Sequence, residues 1–197
     1  MADPLYLSLW FPTFRAEEML VRALGVLQQF PFAPATPGIA YVAVQPISYS
    51  EPSILERRFI PPATPQQAME AVQEFAHEDY AITFEAYWEL WTPASEGGQW
   101  SRREHKVSFI LLGVEFDEGI YTEYGHVEID FGLDFSFLFE ELDLLPADQQ
   151  RVRENVAQLI AFTHALEKHC QLTGRVLWSE SEENLAQKLV ARLQKVQ

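Results

Sequence analysis

Two alternating runs joined by a glycine-tipped loop constrain this chain more than any other feature. Ile82, Phe84, Ala86, Trp88 and Leu90 occupy every second position between Tyr80 and Trp91, the periodicity of a strand with one buried face. Pro93 to Gln99, with Gly97-Gly98 at its tip, reads as a hairpin loop into a strand over about Glu104 to Phe116. A further strand, His126 to Phe135, places Val127, Ile129, Phe131 and Leu133 on one side. Consecutive hairpin-connected strands predict a largely antiparallel sheet, with helices segregated to one face.

The flanking segments supply the helices. Leu5, Leu7, Leu9 and Phe11 alternate as a strand, and Thr13 is an N-cap for a helix over Phe14 to Gln29, with Met19, Leu20, Ala23, Leu24 and Leu27 inward. The proline-rich Pro31 to Gly38 is loop, and Ile39 to Ser50 reads as a strand that Pro46 demotes to an edge or bulged position. Ile54 to Ile60 is a weaker strand. Thr64-Pro65-Gln66-Gln67 starts a helix reaching His77, through a capping box and an early proline.

The longest helix is expected over Ala147 to Thr173, with the stripe Val152, Val156, Leu159, Ile160, Thr163, Leu166, Cys170 and a stop at Gly174. Arg175 to Trp178 is a short strand. Ser179 and Glu182 cap a last helix bearing Leu185, Leu189, Leu193 and Val196. The fold class is therefore α+β: a mostly antiparallel sheet of about six to seven strands with four helices, read as one domain over residues 1–197. Its first six elements follow the β-α-β-β-α-β order of a ferredoxin-like unit.

Charge separates partner classes. The 197 residues carry −15, and Val107 to Gln150 holds eleven carboxylates and no Lys or Arg, so this block supplies −11 of the total. Such a field disfavours nucleic acid and anionic membrane and favours a basic protein or a cation. The opening Met-Ala-Asp-Pro-Leu-Tyr-Leu has no basic n-region, no apolar run approaches a bilayer span, and Cys170 is the only cysteine. The expected location is cytoplasmic.

Two strand faces hold the candidate sites. His126, Glu128, Asp130 and Asp134 share one face by their spacing of two and four, opposite the apolar set. Three carboxylates and an imidazole have the chemistry of a general acid–base pair or a hard-cation site; the same pattern is also that of the solvated side of a strand. On the Tyr80–Trp91 strand, Thr83, Glu85, Tyr87, Glu89 and Trp91 face away from the core. Interleaved aromatics and acids suit a protein interface, or else a helix covers Tyr87 and Trp91. There is no phosphate-binding loop, dinucleotide fingerprint or nucleophile elbow, so no catalytic residue and no cofactor is assigned.

The reading that follows is a non-enzymatic protein-binding domain. Glu85, Tyr87, Glu89, Trp91, Glu128, Asp130 and Asp134 are its expected docking residues for a basic partner, as in an immunity or inhibitor protein. The alternative is a hydrolase or divalent-metal enzyme using His126, Glu128 and Asp130. Oligomeric state is left open.

Overall fold

The computed structural model describes residues 3–93, 99–134, 137, 145–179 and 189. Its elements in chain order are β1 (Pro4–Trp10), α1 (Ala16–Leu27), β2 (Ile39–Pro46), β3 (Leu55–Ala63), α2 (Pro65–Ala71), β4 (Tyr80–Pro93), β5 (Trp100–Leu112), the single-turn α3 (Tyr121–Tyr124), β6 (Val127–Leu133), α4 (Pro146–His169) and β7 (Gly174–Ser179). Short 3-10 turns lie at Gln73–Phe75 and Phe116–Gly119. The seven strands form one sheet in the order β3-β2-β4-β5-β6-β1-β7, and every neighbouring pair is antiparallel. The molecule is thus of the expected α+β class. The ferredoxin-like arrangement is not formed, because β1 lies between β6 and β7, outside the group β2, β3 and β4 with which it would share that unit.

One face of this sheet carries the core. Leu5, Leu7 and Leu9 of β1, Ile82, Phe84 and Trp88 of β4, Phe109 and Leu111 of β5, and Val127 and Ile129 of β6 are buried in one cluster. Met19, Ala23 and Val26 of α1, Ala68 and Val72 beside α2, and Val156, Leu159, Phe162 and Leu166 of α4 complete it. The spacing that puts apolar residues at every second strand position and every third or fourth helix position makes this single layer contact possible.

Local signals account for most boundaries. Thr64 and Gln67 form the predicted capping box: the Gln67 N–H donates to Thr64 Oγ1 (3.2 Å) and the Thr64 N–H to Gln67 Oε1 (3.0 Å). That helix ends at Ala71 rather than His77, since the chain tightens into the 3-10 turn Gln73–Phe75. At α1 the N-cap is Arg15, not Thr13, whose hydroxyl instead donates to Glu18 Oε1 at 2.6 Å. Pro46 does not make β2 an edge strand: it occupies the last strand position, and β3 is the edge. Helix α4 stops at His169 because Gln171 takes a left-handed φ of 48°, leaving Gly174 to begin β7. Residues 94–98, and all but Leu189 of the last expected helix, lie outside the described residues. No helix among the described residues is long and apolar enough to cross a membrane.

Candidate functional site

The second face of the sheet carries most of the expected site residues, and the strand register decides their neighbours. Across the sheet run Arg58, Tyr41, Glu85, Ser108, Asp130, Tyr6 and Trp178, each paired with the next. Glu85 accepts from Lys106 Nζ at 2.8 Å, and the field of Asp130 also reaches that ammonium, whose pKa is raised, first by the Glu85 bond. Glu89 faces Arg102 at 3.8 Å. The basic run Arg102-Arg103-Glu104-His105-Lys106 of β5 thus neutralises the acids of β4, which alternation within β4 alone does not reveal.

Trp91 is engaged from α4. Its indole N–H donates to Glu154 Oε2 at 2.6 Å, and the Arg102 and Arg151 guanidiniums lie 4.8 and 5.5 Å from its ring centroid. Buried Asn155 clamps the Trp91 backbone, accepting from its N–H (2.8 Å) and donating to its carbonyl (2.9 Å). This end of β4 extends past β2, so the side chain of Asn155 supplies the bonds a neighbouring strand would have made. Tyr87 is half-buried and stands opposite Lys106.

Glu128 and its neighbours are not a solvated strand face. The segment between β5 and β6 folds over the second face, and Phe116 packs there with Ala81, Leu112, Ile110, Ile120, Tyr121 and Tyr124 as a second small core. Under this cover Glu128 is only 8% exposed, between Ser8 and Ile110, and its Oε2 has no hydrogen-bond partner among the described residues. Burial, with the charge of Asp130 adding to it, pushes its carboxyl up to about 7. Asp130 accepts the Gly132 N–H at 2.8 Å. Asp134 lies beyond the end of β6, is 4% exposed, and accepts the Asp3 N–H at 3.1 Å.

His126 is tied elsewhere. Its Nδ1 accepts the Phe11 N–H at 3.0 Å, and its ring stacks between Phe14 and Tyr121 at 4.8 and 4.6 Å. Burial holds its pKa down at about 4, so the ring is neutral with its proton on Nε2. His126 and Asp134 are thus each bonded to a main-chain N–H of the N-terminal segment, while Asp130 bonds the Gly132 N–H and its charge reaches Glu128. Among the described residues no group of three or more His, Cys, Asp or Glu is arranged to hold a metal ion. Cys170 is buried, which pushes its thiol up to about 11 and keeps it protonated.

A surface at one end of the sheet was not anticipated. Ile47, Tyr49 and Ile54, in the loop from β2 to β3, are 59%, 48% and 49% exposed. Ile47 has a φ of 64°, a conformation that a β-branched residue rarely adopts. Main-chain bonds on both sides hold it there: its N–H donates to Asp79 O and its carbonyl accepts from Asp117 N, both at 2.7 Å. Asp117 and Glu118 also have positive φ, 45° and 58°. The Glu115 N–H donates to Glu78 O at 2.7 Å, and the Tyr49 ring sits edge-on to Phe116 at 5.1 Å.

Three segments thus meet, 47–54, 77–79 and 113–124, carrying Glu51, Glu78, Asp79, Glu115, Asp117, Glu118 and Glu123 without one Lys or Arg. Among the described residues, no ion pair involves these seven acids. Partial desolvation against Phe116 and the charges of Glu128 and Asp117 push the Tyr49 phenol up to about 12. The sequence carried one hint, Pro46: the strand expected to continue to Ser50 ends at that proline, and the chain turns outward.

Comparison with protein-family models, with curated proteins and with solved structures found no match to this chain.

Proposed function

We propose that the chain is a non-enzymatic protein-binding domain that docks a basic partner. The observation that carries this reading is the loop apex Ile47, Tyr49 and Ile54, exposed within a set of carboxylates that no basic residue of the same segments offsets. An apolar centre rimmed by charge is the usual anatomy of a protein interface, where the centre supplies affinity and the rim supplies steering and orientation. The positive φ of Ile47 supports it further, because strain of about 1–3 kcal/mol persists only where the surroundings hold it, often at binding sites. The strand face bearing Glu85, Tyr87, Glu89 and Asp130 runs away from this surface along the sheet, and the pairing of Glu85 and Glu89 with Lys106 and Arg102 leaves it less charge to offer.

The concrete form is an immunity or inhibitor protein that covers a basic protein in the cytoplasm. The same field repels nucleic acid. A second reading, proton-transfer chemistry, has one observation behind it, the Glu128 carboxyl poised near 7. His126, its expected partner, is occupied by the Phe11 N–H.

Affinity capture from cell lysate at low salt tests the docking reading with four baits. A basic protein retained by wild type should be lost with Ile47→Ser/Tyr49→Ser and with Glu115→Gln/Asp117→Asn/Glu118→Gln. It should persist with Glu85→Gln/Glu89→Gln. Equal recovery by every bait, or no specific protein at all, refutes the reading.

A further inference from the structure

A hollow of about 220 Å³ lies on the second face beside α3, lined by Ser8, Trp10, Glu123, Tyr124, Val176 and Trp178. Antiparallel pairing of β1 with β7 puts Ser8 opposite Val176, Tyr6 opposite Trp178 and Trp10 opposite Gly174, so side chains of two strands converge there. Both indole N–H groups are bonded inside the protein: Trp10 Nε1 donates to Tyr121 O at 3.1 Å, and Trp178 Nε1 to Ser8 Oγ at 3.0 Å. These bonds hold the rings in place. Tyr6 stacks on Trp178 at 4.6 Å, and the Tyr124 ring meets it at 5.9 Å with 47° between planes.

Three aromatic rings and a carboxylate around one hollow define a ligand chemistry. Aromatic faces are electron-rich and attract a cation, tryptophan most strongly. Glu123 is exposed at the hollow, and the segment 113–124 to which it belongs has no Lys or Arg to compete. One strand inward, Glu128 stands opposite Ser8, with Oε2 unpartnered among the described residues and the side chain more than nine-tenths buried. A primary ammonium brings three N–H donors that each need an acceptor. Here the Ser8 hydroxyl already accepts from Trp178 and Val176 is apolar, so the lining offers more ring face than acceptors for three N–H groups. A quaternary ammonium has no N–H to leave unsatisfied and presents methyl groups to the rings.

We propose that this hollow binds a methylated ammonium cation, carried either by a small molecule or by a methylated lysine side chain. The hollow shares Glu123 with the acidic set around Ile47, but its aromatic lining comes from β1, β7 and Tyr124, and it stands whether or not that surface docks a partner.

Tryptophan fluorescence and calorimetric titration test it with tetramethylammonium as the probe. Saturable binding with a millimolar Kd is expected, and the neutral isostere 3,3-dimethylbutanol should bind about tenfold more weakly than choline. Trp178→Leu should weaken tetramethylammonium about tenfold. Should that variant lose its fold by circular dichroism, Glu123→Gln, changed at an exposed position, is expected to weaken it about threefold. Choline and an acetylated trimethyllysine amide, compared side by side, distinguish the two sources. No saturable binding by wild type, or equal binding of the neutral isostere and choline, overturns the proposal.

Discussion

Replacing Glu128 by Gln should stabilise the protein in a way that grows with pH. In the folded chain this carboxyl is 8% exposed and its pKa rises from 4.5 to about 7, mainly through burial and further through the charge of Asp130. Below 4.5 the group is neutral folded or unfolded and contributes no pH dependence. Between 4.5 and 7 the unfolded chain ionises while the folded one stays protonated, so proton linkage favours unfolding progressively, and above 7 the penalty is complete. About 2.5 units at 1.36 kcal/mol per unit amounts to about 3 kcal/mol. Gln has nothing to ionise, so it removes this slope, while the fixed cost of burying its amide, about 1–2 kcal/mol, is the same at every pH. Urea unfolding of both proteins at about pH 4.5 and pH 8 isolates the effect. The stability difference should shift toward the variant by about 3 kcal/mol between the two. A difference that does not change with pH would show that Glu128 ionises as freely in the fold as in the open chain, refuting the argument from burial.

His126 should show the opposite slope. Its folded pKa of about 4 lies below the usual 6.5, so the stability it confers is complete above pH 6.5 and is lost as pH falls toward 4. His126→Phe leaves the Phe11 N–H without its acceptor and should cost about 1–3 kcal/mol at pH 8, a deficit that narrows or reverses by about pH 4.5 in urea titrations; a constant deficit would contradict this. Asn155→Ala removes both bonds to the Trp91 backbone and should lower stability by about 2 kcal/mol, read as a reduced thermal midpoint. Ile47→Gly places the one residue at ease with positive φ at a φ of 64° and should raise stability by about 1 kcal/mol while weakening partner capture; a destabilised variant would show that the loop is not strained.

The strands and their inward faces were legible because burial on one side imposes a period of two: Leu5, Leu7 and Leu9, or Ile82, Phe84, Ala86 and Trp88, have only one way to meet a core. The Thr64–Gln67 cap and the buried Cys170 were legible too, since each depends on residues within a turn or on one helix face. The outward faces were not. Alternation says that Glu128 and Asp130 lie opposite Ile129, but not that the 113–124 segment packs on their face against Ile110 beside Glu128, because that cover is one 3-10 turn and one helical turn with no sustained periodicity. Nor does it say that Lys106 and Arg102 stand beside Glu85 and Glu89, since that follows from the register of β5 on β4. The bond from the Phe11 N–H to His126 and the meeting of Trp10, Tyr124 and Trp178 likewise arise between segments distant in the chain. Periodicity is a property of each segment and was present in the sequence alone. The environment of a polar side chain is a property of what packs against it, and only the tertiary structure decided that.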